Sequence, residues 1–263
     1  MPFRPVYNLL CYYLTLVFFG GFGLGLNVFC LLARILPAAA RHERFFQRLI
    51  HRHFALFIWW MAFARLLRVH HHGFERLPRG GQILAANHPG LMDAPYILAR
   101  VPEAVCIFKP AIRRNPVLGA AARRAGYLSS DSGIDLIRQA ADKLAAGHTV
   151  LVFPEGTRTP LGETLLPLKP GFVLMAHRAQ VPIQLIHIDW DTNVLVKGRA
   201  WWKCPRLPGR VDVTVGPRLA TERLGRTEEV VAGIEAWFRA PAHTGIPGCP
   251  ASAAMPAPIA NPA

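Results

Sequence analysis

A histidine and an aspartate stand five residues apart in Asn87-His88-Pro89-Gly90-Leu91-Met92-Asp93. A neutral imidazole takes a proton near pH 7. A carboxylate on its other ring nitrogen fixes the tautomer and stabilises the imidazolium as it forms. The pair therefore suits a base that removes a hydroxyl proton while the oxygen attacks a carbonyl. Pro89-Gly90 supplies a turn that lets the two side chains meet. Alone the pair is weak: with 11 His and seven Asp in 263 residues, chance yields roughly 0.3 such matches per chain. A second stretch, Phe153-Pro154-Glu155-Gly156-Thr157-Arg158, adds anion chemistry. Arg158 offers a fork of donors for phosphate or carboxylate, and backbone N–H groups at Gly156 and Thr157 suit the same anion. Glu155 reads first as an organiser of this loop, binding Arg158 or backbone, ahead of an acid–base group. Asp93 also suits the N-cap of a following helix.

Both stretches leave short apolar runs that read as strands, residues 83–86 and 149–153. Further strands are expected at 105–108, 127–129, 183–188 and 211–215. Helices are expected at 93–100, 111–125, 134–146, 171–179 and 222–239. This alternation implies βαβ units. The fold class is α/β: a mostly parallel β-sheet flanked by helices, preceded by N-terminal hydrophobic, membrane-associated helices. Ligands of such sheets gather at the carboxyl ends of strands, so both stretches should face one pocket.

Residues 5–33 carry no charge. As a helix at about 1.5 Å per residue they exceed the roughly 30 Å of a bilayer's hydrocarbon. Gly20, Gly21, Gly23 and Gly25 mark either close packing or a break, so one tilted span and a re-entrant hairpin both fit. The run is too long for a cleaved signal peptide, although Ala38-Ala39-Ala40 resembles a cleavage site. A shorter apolar stretch, 54–69, reads as a helix lying on the membrane, packed on the first, or in an ordinary core. Between Arg34 and Arg79 nine Arg face only Glu43 and Glu75, half of the chain's net charge of +14. Basic charge beside an apolar segment points to an anionic membrane rather than nucleic acid. If residues 5–33 span once, it places the main domain on the cytoplasmic side of the inner (cytoplasmic) membrane. Three regions result: N-terminal anchoring helices over 1–72, an α/β domain over 73–240, and a Pro/Ala-rich tail over 241–263 expected to be disordered. Five scattered Cys form neither a disulfide framework nor a zinc site, and His70-His71-His72 reads as a solvated basic turn.

The ordered set of NHPGLMD and, about sixty residues on, FPEGTR resembles the glycerolipid acyltransferase family. Lys109-Pro110, Asn115-Pro116 and Gly119 resemble its middle region, and Lys169, Gly171, Ala176 and Val181-Pro182-Ile183 its last block. The resemblance implies O-acyl transfer from acyl-CoA or acyl carrier protein to a lysophospholipid-type acceptor, 1-acylglycerol-3-phosphate above all. It implies His88 as base and Asp93 as its orienter, with Glu155, Gly156, Thr157, Arg158 and Lys109 binding substrate. For Lys109 a solvated surface role fits equally. Neither a metal nor a tightly bound cofactor is expected. One departure concerns the acceptor. Where the family has an Arg that holds its phosphate, Gly126-Tyr127-Leu128-Ser129-Ser130-Asp131-Ser132 has Ser132. Arg123 and Arg124 are the nearby candidates to replace it. This stretch, with Trp201-Trp202, is similar to a bacterial branch associated with aryl polyene or specialised lipid synthesis. The rival acceptors are thus an aryl polyene lipid or a lyso-ornithine lipid. A rival of another class is an inactive, membrane-anchored lipid-binding protein, against which the intact His88/Asp93 pair speaks.

Overall fold

Residues Gln82–Ala86 are buried one and all, which demands strands at both edges and helices on both faces. The computed structural model describes residues 4–35, 42–192 and 194–240. The sequence reading of the tail, and of Ala38-Ala39-Ala40, falls outside them. In chain order the elements are α1 (Arg4–Leu32), α2 (Glu43–Phe63), β1 (Leu67–His72), β2 (Gln82–Ala86), α3 (Asp93–Leu98), β3 (Ala104–Phe108), α4 (Gly119–Arg124), β4 (Leu128–Ser129), α5 (Ile134–Ala145), β5 (Thr149–Val152), α6 (Gly171–Ala179), β6 (Ile183–Trp190), β7 (Gly209–Leu219) and α7 (Thr227–Arg239).

The strands form one sheet in the order β1-β7-β6-β2-β5-β3-β4. Pairing is parallel throughout except between β6 and β7. Because strand side chains alternate, β2 sends Leu84 and Ala86 to one core, with Phe46, Ile50, Phe54 and Phe57 of α2. It sends Ile83 and Ala85 to the other, with Phe172 and Val173 of α6 and Ile234 of α7. Each of the Leu, Ile, Val and Phe side chains contributes roughly 1.5–3 kcal/mol on burial.

Several local readings are corrected. The apolar stretch at 54–69 is not one helix: α2 ends at Phe63, Arg65 turns the chain at φ 52°, and β1 begins at Leu67. His70-His71-His72 is accordingly no solvated turn but the end of β1, which pairs with β7. The signal was period-two alternation, with Leu67, Val69 and His71 inward. The sheet therefore starts inside the 1–72 segment assigned to anchoring helices. The helix read at 111–125 is split, because the residue before a proline avoids the helical region. Asn115, before Pro116, is extended at ψ 124°. Its Oδ1 instead accepts from the N–H groups of Val117 and Leu118, at 2.8 and 3.2 Å. Finally, α7 starts at Thr227, five residues after the expected 222, behind a short 3-10 turn.

α1 is continuous, so the glycines do not break it into a hairpin. Gly23 instead permits close packing: a Cβ there would collide with Val117 Cγ1. Asn27 Oδ1 accepts from the N–H groups of Ala120 (2.6 Å) and Ala121 (3.1 Å) at the start of α4. Near its other end, Tyr7 donates to the Ala64 carbonyl at 3.1 Å. α1 is thus fastened to the domain along its length. Pro5–Leu32 is nevertheless long and apolar enough to cross a membrane, with mean hydropathy 2.0.

β1 also supports the helix that carries Asp93. His71 Nε2 donates to the Tyr96 carbonyl of α3 at 2.9 Å. Burial holds the His71 imidazole down to about 4, against the opposing effect of that bond. Folded His71 is therefore neutral where the unfolded residue, at an ordinary 6.5, already binds a proton. Stability contributed by neutral burial is present above pH 6.5 and lost as pH falls toward 4. The expected loss is about 3 kcal/mol. Denaturant midpoints measured across that range should fall in the wild type and flatten in His71→Phe. Parallel curves would refute the assignment.

Candidate active site

The chain leaves β2 at Asn87, whose side chain continues the sheet. Its Nδ2 donates to the Ile188 carbonyl at 2.9 Å and its Oδ1 accepts the Ile188 N–H at 2.7 Å. This double bond to β6 sets where His88 emerges. The His88 ring lies on Phe153, with centroids 4.1 Å apart and planes 22° apart. Its Nδ1 is 2.8 Å from Asp93 Oδ2. Asp93 is buried at the first turn of α3, and the same oxygen accepts the Gly90 N–H at 2.7 Å. Burial pushes the Asp93 carboxyl above the usual carboxylate range, while the His88 hydrogen bond and the Gly90 N–H oppose the rise. With Nδ1–H committed to Asp93, Nε2 is the nitrogen that can accept a proton. Gly90 has to be small, since a Cβ would lie 3.2 Å from both Asp93 Oδ1 and the Trp190 ring.

β5 is the parallel neighbour of β2, so the two motifs emerge side by side. They are joined through the backbone of His88. Its N–H donates to Glu155 Oε1 at 2.8 Å, and its carbonyl accepts the Thr159 N–H at 2.8 Å. The other Glu155 oxygen accepts from Thr159 Oγ1 (2.8 Å) and the Leu166 N–H (2.9 Å). Glu155 is 3% exposed, and these three donors account for its burial. Of its two expected organising partners, backbone and Arg158, the structure pairs it with backbone.

Arg158 Nη1 donates instead to the Leu195 carbonyl at 3.1 Å. That contact occupies one of the five N–H donors of a guanidinium. Gly156 turns the loop at φ 67°, and a Cβ there would sit 3.0 Å from the end of the Lys169 side chain. Lys109 follows β3, the next strand along, and its Nζ donates to Thr157 Oγ1 at 3.1 Å. Three adjacent strand ends thus deliver His88, the 155–158 loop and Lys109 to one rim. Ser132 lies past β4, at the edge of the sheet. Of the two nearby Arg, Arg123 donates to the Arg113 carbonyl and Arg124 to the Cys30 carbonyl of α1 at 3.1 Å. Asn87, Gly90 and Phe153 stood inside the quoted motifs, but their roles depend on partners distant in sequence. Leu195 carried no sequence signal.

The chain is similar to known acyltransferases. A family model described as Acyltransferase matches residues 68–189. A 1-acyl-sn-glycerol-3-phosphate acyltransferase of Helicobacter pylori is 32% identical over 111 residues, 40% of this chain and 47% of that protein. The solved 1-acyl-sn-glycerophosphate (LPA) acyltransferase PlsC of Thermotoga maritima superposes with a TM-score of 0.69 at 26% identity. That match covers 90% of this chain and 94% of the other. These similarities support the glycerolipid acyltransferase family for this chain. It is also similar to a lyso-ornithine lipid O-acyltransferase of Pseudomonas aeruginosa, 30% identical over 138 residues, half of this chain and 52% of that protein. The chain spans about half the length of these two curated relatives.

Proposed function

We propose that the protein transfers a fatty acyl group from a thioester, acyl-CoA or acyl carrier protein, to the hydroxyl of a lysophospholipid-type acceptor. The observation that carries this is the His88–Asp93 pair with its free ring nitrogen at the rim of the basic loop. The acceptor oxygen attacks the thioester carbonyl while His88 Nε2 takes its proton. Asp93 steadies the imidazolium, and the collapsing tetrahedral intermediate expels the thiolate, which His88 reprotonates. Arg158, Lys109 and the N–H groups of the 155–158 loop bind the anionic group of the acceptor. α1 rests in the bilayer with its outward row Leu10, Leu14 and Val17, all at least half exposed, and the basic block that follows faces anionic lipid on the cytoplasmic side.

Ser132 favours a second acceptor class on the same chemistry. Without a second guanidinium the grip on a phosphomonoester weakens, and one similar relative is named for lyso-ornithine lipid. The test is product formation by the purified protein in detergent, with palmitoyl-CoA or palmitoyl acyl carrier protein as donor. Acceptors would be 1-acylglycerol-3-phosphate and lyso-ornithine lipid, run separately. Phosphatidic acid formation supports the first acceptor, and acylated lyso-ornithine lipid alone the second. No transfer by folded protein to either, or to a host lipid extract, would overturn the reading. Arg158→Ala is expected to raise the acceptor KM roughly 10–100-fold, the worth of one charged hydrogen-bond partner. An unchanged KM would move the anion site to Lys109.

A further inference from the structure

The strand connection at residues 194–208 has two working sides. Its inner side touches both motifs of the site. Gly90 forms a β-bridge with Val196, and the Leu195 carbonyl, at φ 55°, accepts from the Leu91 N–H (3.4 Å) and Arg158 (3.1 Å). Its outer side presents Trp201 and Trp202, 58% and 55% exposed. Two such rings side by side on a surface call for an explanation. The loop is also fastened to α1: Tyr12 donates to the Trp201 carbonyl and Tyr13 to the Trp202 carbonyl, the latter at 3.0 Å. Asn8 donates to the Leu207 carbonyl at 3.2 Å. The backbone of both tryptophans therefore lies against the N-terminal half of α1. The same 15 residues hold Lys197, Arg199, Lys203 and Arg206 and no acid, a charge that fits an anionic surface.

We propose that residues 194–208 dock on an anionic lipid bilayer, Trp201 and Trp202 entering the headgroup layer beside α1. This deepens the proposed function and rests on its placement of α1 at the bilayer. Tryptophan suits that layer because one end of the ring is apolar and the N–H seeks water. Lysines beside it gain from the negative surface potential. Through Leu195 the docked loop holds Arg158 and the His88 turn at the level where an acceptor headgroup lies.

The experiment uses the full chain reconstituted in vesicles containing acyl-brominated phosphatidylcholine, with or without phosphatidylglycerol. Tryptophan emission is compared between wild type and W201F/W202F, and between the single variants W201F and W202F. It needs no substrate, so it can fail while acyl transfer stands, or succeed while acyl transfer fails. The emission assigned to the two indoles by difference should be quenched by bromine and shielded from aqueous acrylamide. Anionic lipid should deepen the quenching about twofold or more, and K197Q/K203Q should reduce that gain. Difference emission open to acrylamide and untouched by bromine would overturn the proposal. So would emission shielded from both quenchers, which would mean that protein covers the pair.

Discussion

Replacing His88 with alanine is expected to lower acyl transfer about 10²–10⁴-fold, the usual worth of a positioned general base, while the protein stays folded. The two bonds that join the motifs use the His88 backbone, N–H to Glu155 and carbonyl from Thr159, and alanine keeps both. The imidazole itself touches Asp93 and the Phe153 face. Its loss leaves Asp93 with the Gly90 N–H, and burial already raises that carboxyl's affinity for a proton. The stability cost is therefore about 1–3 kcal/mol. Initial rates at saturating donor, read beside a thermal melt, check it. Retention of a tenth or more of the wild-type rate by the variant would remove His88 from the chemistry.

Glu155→Ala is expected to fail differently, through the fold. It removes the acceptor of three donors: the N–H groups of His88 and Leu166 are orphaned, and the Thr159 hydroxyl keeps only its 3.4 Å approach to the His88 carbonyl. Each buried orphan costs about 1–3 kcal/mol. At about 2–4 °C of Tm per kcal/mol for a chain of this size, the melt should drop by about 10 °C or more, and activity with it. Glu155→Gln separates this from acid–base chemistry. Its amide oxygen can still accept the His88 N–H, and the Thr159 hydroxyl can reverse its bond, but the NH₂ meets the Leu166 N–H as donor against donor. The glutamine variant should melt between wild type and alanine and recover activity in step with Tm. A glutamine variant with wild-type Tm and no activity would make Glu155 a participant in proton transfer.

The arrangement of these residues shows where sequence reading reaches. His88 and Asp93 lie five apart across a Pro-Gly turn, and Asp93 opens α3, so their contact is nearly local. The alternation of apolar strands and helices is written in short windows, and it located β2, β5, α6 and most other elements. Readings failed where a nearby pattern was ambiguous and a distant partner settled it. The segment after Phe63 had apolar residues for either helix or strand, and pairing with β7 made it β1. Residues 111–125 had helical composition, yet the Asn115-Pro116 step and the approach of α1 at Gly23 divided them.

By itself, then, the sequence determined the adjacent His88/Asp93 pair and the Phe153–Arg158 loop proposed here as the site, the α/β class and an apolar N-terminal segment. Each depends on residue type and on spacings shorter than one element. The tertiary structure decided what joins them. Glu155 reaches His88 across 67 positions because β2 and β5 are neighbours, and Arg158 meets Leu195 across 37 because the β6–β7 connection folds back over the site. Strand order and loop path are set by the burial of whole faces, a sum over the chain that no local spacing encodes.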